Sequence, residues 1–162
     1  MTSWIEDEIA RQQAATETRH AAISARAVER AALHSESQIV FKVLCEVLAS
    51  DANLFNQTTK DHERKLSLPE WIGSRRFQIK RGYTPSFLLT VEFSETSVAV
   101  EYSIIRPSAI DQKLYQESGV FKFVLQNSGN AALTHNGRVI SVGEASQILL
   151  RPAVEGFSRP LQ

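Results

Sequence analysis

Residues 3–52 read SWIEDEIARQQAATETRHAAISARAVERAALHSESQIVFKVLCEVLASDA, a run in which neither glycine nor proline occurs. The first proline is Pro69 and the first glycine Gly73, so the two residues that most weaken a helix are missing and the segment is expected to be helical through most of its length. Ser3-Trp4-Ile5-Glu6 has capping-box spacing, in which the serine oxygen and the glutamate carboxylate each accept from an amide of the first turn. Glu6, Asp7 and Glu8 add negative charge at the positive end of the helix dipole.

Two faces are legible within this helix. Ala10, Ala14, Thr18, Ala21, Ala25, Val28, Ala32, Ser35 and Ile39 follow at steps of three and four, a seam with coiled-coil periodicity whose members are nearly all small. Small residues let a partner backbone approach toward the short end of the roughly 8–10 Å range of helix-axis separations. From Ile39 the pattern widens: Val40, Val43, Leu44, Val47 and Leu48 form one stripe, and Phe41, Cys45, Ala52 and Phe55 extend it sideways. That half is expected to be buried against a domain.

Length sharpens the division. Fifty helical residues span roughly 75 Å, whereas a compact domain of this chain length is roughly 40 Å across. Either the N-terminal half protrudes and pairs with another chain, or the segment folds back as a helical hairpin. His34-Ser35-Glu36-Ser37-Gln38 is the one plausible break, with Ser35 and Gln38 at capping-box spacing. Continuity is preferred, because the seam passes from Ser35 to Ile39 without losing phase.

After Phe55 the residues Asn56–Lys65 contain nothing apolar, which suits a linker or an exposed helix end. Leu66, Leu68, Trp71 and Ile72 around Pro69 suggest a short turn plugging one end of the core. From Arg75 the apolar period becomes two. Phe77 and Ile79, then Phe87 to Phe93, then Val98 to Ile104, give three consecutive strands of an antiparallel meander. Arg106 to Ser118 breaks the pattern and reads as a weak amphipathic turn or a long loop. Phe121, Phe123 and Leu125 mark a fourth strand. Ala131–His135 and Arg138–Val142 flank Asn136-Gly137, the pair most favoured in a two-residue type I′ hairpin. A last helix over Ala145–Leu150 is limited by Pro152.

The expected fold is therefore α+β: a long N-terminal helix packed by its C-terminal half on an antiparallel meander of about six strands, closed by a short C-terminal helix. Residues 1–55 form the helix. Residues 56–162 form the sheet domain and share a core with residues 39–55.

The 162 residues suit one domain with a substantial core, and 18 basic against 18 acidic residues leave no global field toward nucleic acid or membrane. A single cysteine, Cys45, excludes an intrachain disulfide and any cysteine-based zinc site within one chain. Its apolar setting marks an inert thiol. The acidic start and the lack of a long apolar run give the expectation of a cytoplasmic protein. Glu17 and His20 have the Glu-x-x-His spacing of di-iron bundles, but the second copy such a site requires is missing, so no metal and no cofactor is implied. No nucleophile elbow, P-loop, dinucleotide fingerprint or zincin motif occurs, and no enzyme class has positive support.

Three functions from different classes follow. The preferred one is a non-enzymatic assembly or interaction protein, a homo-oligomer with a dimer favoured, joined through Ala10, Ala14, Ala21, Ala25 and Ala32. The second is a binder of small apolar ligands in a cavity between sheet and helices, lined by Phe87, Phe93, Tyr102 and Phe121. The third and least favoured is weak nucleic-acid binding through residues 60–81, carried by Arg75, Arg76, Lys80 and Arg81.

Overall fold

The computed structural model describes residues 3–83, 86–107 and 113–155. Helix α1 runs unbroken over Trp4–Thr58, about 80 Å at 1.5 Å per residue. It does not fold back at Ser35. Its start is closed by the capping box, with Ser3 Oγ accepting from Ile5 N–H at 3.3 Å and the Glu6 carboxylate accepting from Ser3 N–H at 3.1 Å. In its last turn, the Asn56 side chain donates to Leu66 O at 2.9 Å and accepts from Leu66 N–H at 2.7 Å. That pair of bonds clamps the polar stretch, which contains one 3₁₀ turn at His62–Arg64, against the helix it has just left.

Seven strands follow in sequence order, each antiparallel to the next: β1 Glu70–Ile72, β2 Arg76–Arg81, β3 Phe87–Ser94, β4 Ala99–Pro107, β5 Leu114–Leu125, β6 Ala131–His135 and β7 Arg138–Ile140. The meander was expected, and the strand beyond the expected six is β1, where a turn was read. Three residues are too short to show alternation, and all three are exposed; backbone pairing with β2 alone makes them a strand. Strand β5 also begins earlier than expected. Leu114–Ser118 pair with Ser103–Pro107, yet all five are exposed. With neither face buried there, no apolar alternation exists to be read. The turn expected within Arg106–Ser118 otherwise falls on residues 108–112, outside the described residues.

Two local corrections concern backbone conformation. Val98, read as the first inward residue of the third strand, lies in the turn before β4 with φ 48°. Its buried side chain, at 7% exposure, holds a β-branched residue in the left-handed region where such residues are rare. Helix α2 runs over Val142–Glu155 with Pro152 inside it, so proline does not end it. The start is set by Ser141, whose Oγ accepts from Glu144 N–H at 3.0 Å while the Glu144 carboxylate accepts from Ser141 N–H at 2.8 Å, a second capping box. The expected hairpin is present: His135 pairs with Arg138, and Asn136 and Gly137 have φ 53° and 76°, positive at both central residues as type I′ requires.

Both helices cover one sheet face. Phe41, Leu44, Cys45, Leu48 and Ala52 of α1 join Ala145, Leu149 and Ala153 of α2 and the inward residues of the strands in one core cluster. Leu44 and Leu48 are fully buried, each stabilising by about 1.5–3 kcal/mol. Ser37 is buried in the same face, and among the described residues its Oγ has no hydrogen-bond partner. Ser37→Ala is therefore expected to stabilise, by removing a desolvated hydroxyl and improving helix propensity. A gain of about 1 kcal/mol corresponds to about 2–4 °C in melting temperature; a lower melting temperature would show that the hydroxyl is satisfied.

Candidate functional site

The sheet and α2 reach only the second half of α1. From Ile9 through Ala32 every residue is exposed, and the first buried residue of the helix is Ser37. Ala10, Ala14, Ala21, Ala25 and Ala32 thus stand on an arm that no other part of the described chain touches, together with Trp4 at 76% and Val28 at 71% exposure. Some of the arm's polar side chains bond locally, Arg11 and Gln12 to Glu8 and the Thr16 and Thr18 hydroxyls to carbonyls one turn back. Local bonds of this kind contribute little beyond helix propensity. Most helical stability in proteins comes from packing an apolar face, and among the described residues nothing packs on the arm.

A further exposed surface went unread in the sequence. Ile39, Val43 and Leu54 are 57%, 41% and 62% exposed although they sit on the half of α1 that packs on the sheet. The widened apolar pattern from Ile39 onward had placed Val43 in a buried stripe. In fact Phe41, Leu44, Cys45, Leu48 and Ala52 face the sheet, whereas Val43 faces away with Ile39 and with Leu54, which the pattern had not included. A helix resting on one sheet can bury only one of its faces.

No family model, curated protein or solved structure matches this chain.

The other candidate residues are placed differently from the arm. Phe87, Phe93 and Phe121 are core residues at 3% exposure or less. Tyr102 stacks at 4.9 Å on Phe121 and lies over Gly119, its cross-strand neighbour, so closely that a side chain at 119 would occupy the position of its ring. Burial, then the nearby Glu117 charge, raises the Tyr102 hydroxyl above its ordinary pKa. Two open clefts have volumes of about 390 and 360 Å³. One lies beside Cys45, Trp71 and Phe77, the other beside Phe55, Leu66 and Leu150. None of the four aromatic candidates lines either. Residues distant in sequence make both clefts, and no local pattern announced them.

The basic residues of β2 and of the turn before it are engaged within the chain. Arg75 pairs with Glu95 at 2.8 Å, Arg76 with Glu92 at 3.0 Å and Lys80 with Glu70 at 3.9 Å. Arg81 points inward at 4% exposure and donates to the carbonyls of Arg64 and Ala153 at 2.9 and 3.0 Å. Carboxylates beside three of these cations lower the positive potential that a phosphate backbone would meet. Cys45 is buried, and burial, followed by the adjacent Glu46 charge, pushes its thiol up to about 12, which leaves almost no thiolate for chemistry at neutral pH. Among the described residues, no helix is long and apolar enough to cross a membrane.

Proposed function

We propose that this chain is a non-enzymatic assembly protein that self-associates through its N-terminal helix. The observation that carries this reading is the uncovered arm. An unbroken helix continues far beyond its own domain, with a seam of small residues at coiled-coil spacing and exposed Trp4 and Val28. Another copy is the partner always available, and a two-fold contact uses one patch twice, the commonest symmetry among oligomers. Equal numbers of basic and acidic residues leave net charge no role in opposing association near neutral pH. A cytoplasmic setting belongs to the same reading, supported by the single, buried, unpaired thiol.

The test is a mass measurement by light scattering over a range of concentrations, on the unmodified chain and on the double variant Ala21→Glu/Ala25→Glu. The unmodified chain is expected as a dimer or larger species. The variant is expected to be monomeric with the sheet domain folded, since both positions are exposed and far from the core. A concentration-independent monomer of 18.1 kDa for the unmodified chain would overturn the proposal.

A further inference from the structure

Building on the self-association proposed above, we infer that two copies pair antiparallel along almost the whole of α1, about a two-fold axis at Ala32. Ala10, Ala21 and Ala25 of each arm then lie on Leu54, Val43 and Ile39 of the outward stripe of the other copy, and Ala14 lies on Ser50.

The seam and the stripe occupy one face. Steps of seven, eleven and twenty-two residues are close to two, three and six turns of a helix with 3.6 residues per turn, and these steps relate Ala32 to both sets. Ala25 and Ile39 lie seven residues either side of Ala32, Ala21 and Val43 eleven, and Ala10 and Leu54 twenty-two. A two-fold axis at Ala32 therefore sets alanine against Ile39, Val43 and Leu54 each time. Small facing large keeps the two axes evenly spaced and the layer filled. Parallel pairing sets Ala10 on Ala10 and Leu54 on Leu54, which forces the axes apart toward one end. It also brings two copies of Glu6-Asp7-Glu8 together, a like-charge cost.

Area separates this arrangement from pairing of the arms alone. Overlap from Ala10 to Leu54 is about 67 Å long; a strip about 10 Å wide covers roughly 670 Å² on each copy. The total of roughly 1,300 Å² clears the ~1,000 Å² expected of a specific interface. Overlap confined to Ala10–Ala32 halves the figure and falls short.

Charge agrees along one edge, where Arg11 of one copy meets Asp51 of the second and Arg26 meets Glu36. At the opposite edge Glu17 falls near Glu46, with Lys42 one turn from Glu46. The Asp51 carboxylate also accepts from the Ser146 hydroxyl of its own copy at 2.6 Å, so in this pairing it is shared between α2 and the second copy. The sheets do not collide: each lies on the far side of its own helix, at opposite ends of the pair.

The test is disulfide trapping in a Cys45→Ala background. Chains carrying Ala21→Cys and chains carrying Val43→Cys are mixed, exchanged and oxidised, and the products are weighed by intact mass spectrometry. The expected product is the mixed disulfide, with neither variant cross-linking to itself. Efficient self-linkage of Ala21→Cys would overturn the antiparallel arrangement. A second measurement avoids the altered core: Val43→Glu, at an exposed position of the otherwise unmodified chain, is expected to weaken dimerisation at least tenfold. A dimer that survives Val43→Glu yet dissociates on Ala21→Glu/Ala25→Glu is joined by the arms alone; it would overturn this inference and leave self-association standing. A monomeric unmodified chain would remove both.

Discussion

Arg81→Met is expected to lower the stability of the protein by about 2–4 kcal/mol. Arg81 continues the inward row of β2 after Phe77 and Ile79, and all three are buried. Its guanidinium ties three elements together: the end of β2, the 3₁₀ turn through Arg64 O at 2.9 Å, and the last turn of α2 through Ala153 O at 3.0 Å. Helix-terminal carbonyls have no donor within the helix, so a cation there both satisfies a carbonyl and meets the negative end of the dipole. Burial, then the neighbouring Arg64 charge, pushes the guanidinium down to about 10; it stays protonated at neutral pH. Methionine fills similar volume but leaves both carbonyls without this donor, at about 1–3 kcal/mol for each group left unsatisfied. Thermal unfolding followed by circular dichroism at fixed concentration should show a drop of roughly 5–10 °C. An unchanged melting temperature would mean that water replaces the guanidinium, and that the staple adds nothing.

Arg81 also shows where sequence reading succeeded and where it stopped. The period of two that placed Phe77 and Ile79 inward already placed Arg81 inward. Counting it among surface charges gave composition precedence over phase. The strands that bury one face, β2, β3 and most of β4, were legible because burial writes an alternation into the sequence. β1 and the start of β5 were not, because strands exposed on both faces carry no such imprint, and their existence depends on pairing partners. The Ser141–Glu144 capping box was available as a spacing, although the helix was expected only from Ala145. Pro152 misled in the opposite direction. A proline costs the helix one hydrogen bond and a steric clash, and burial of Ala153 beside the core offsets that locally.

The arm was the most legible part of the candidate site, since continuity through Ser35 followed from unbroken seam phase and from the lack of glycine and proline. The outward stripe was not. Val43 was read into the buried stripe that starts after Ile39, and Leu54 was not read at all; only the placement of the sheet on one side of α1 sets Ile39, Val43 and Leu54 apart from the buried residues. The exposed residues on both halves of α1 share a physical origin, a helix whose apolar surface exceeds what its own domain covers.

Gly137→Val is expected to cost about 2–3 kcal/mol, well beyond the ~1 kcal/mol of a routine substitution. Asn136 and Gly137 form the whole link between β6 and β7, and both have positive φ, 53° and 76°. Asparagine tolerates that region; a β-branched residue does not. Nothing lies within 4 Å of a Cβ built at residue 137, so the expected cost is assigned to backbone conformation. Val98 shows that a valine can be held at φ 48°, but its side chain is buried and packed there. Position 137 offers no such compensation. Gly137→Asn serves as the control, because it has similar bulk to valine without the branch and is expected to lose less than half as much. If the valine variant melts at the temperature of the unmodified protein, or if asparagine is as damaging as valine, the type I′ geometry is not what holds β7 against β6.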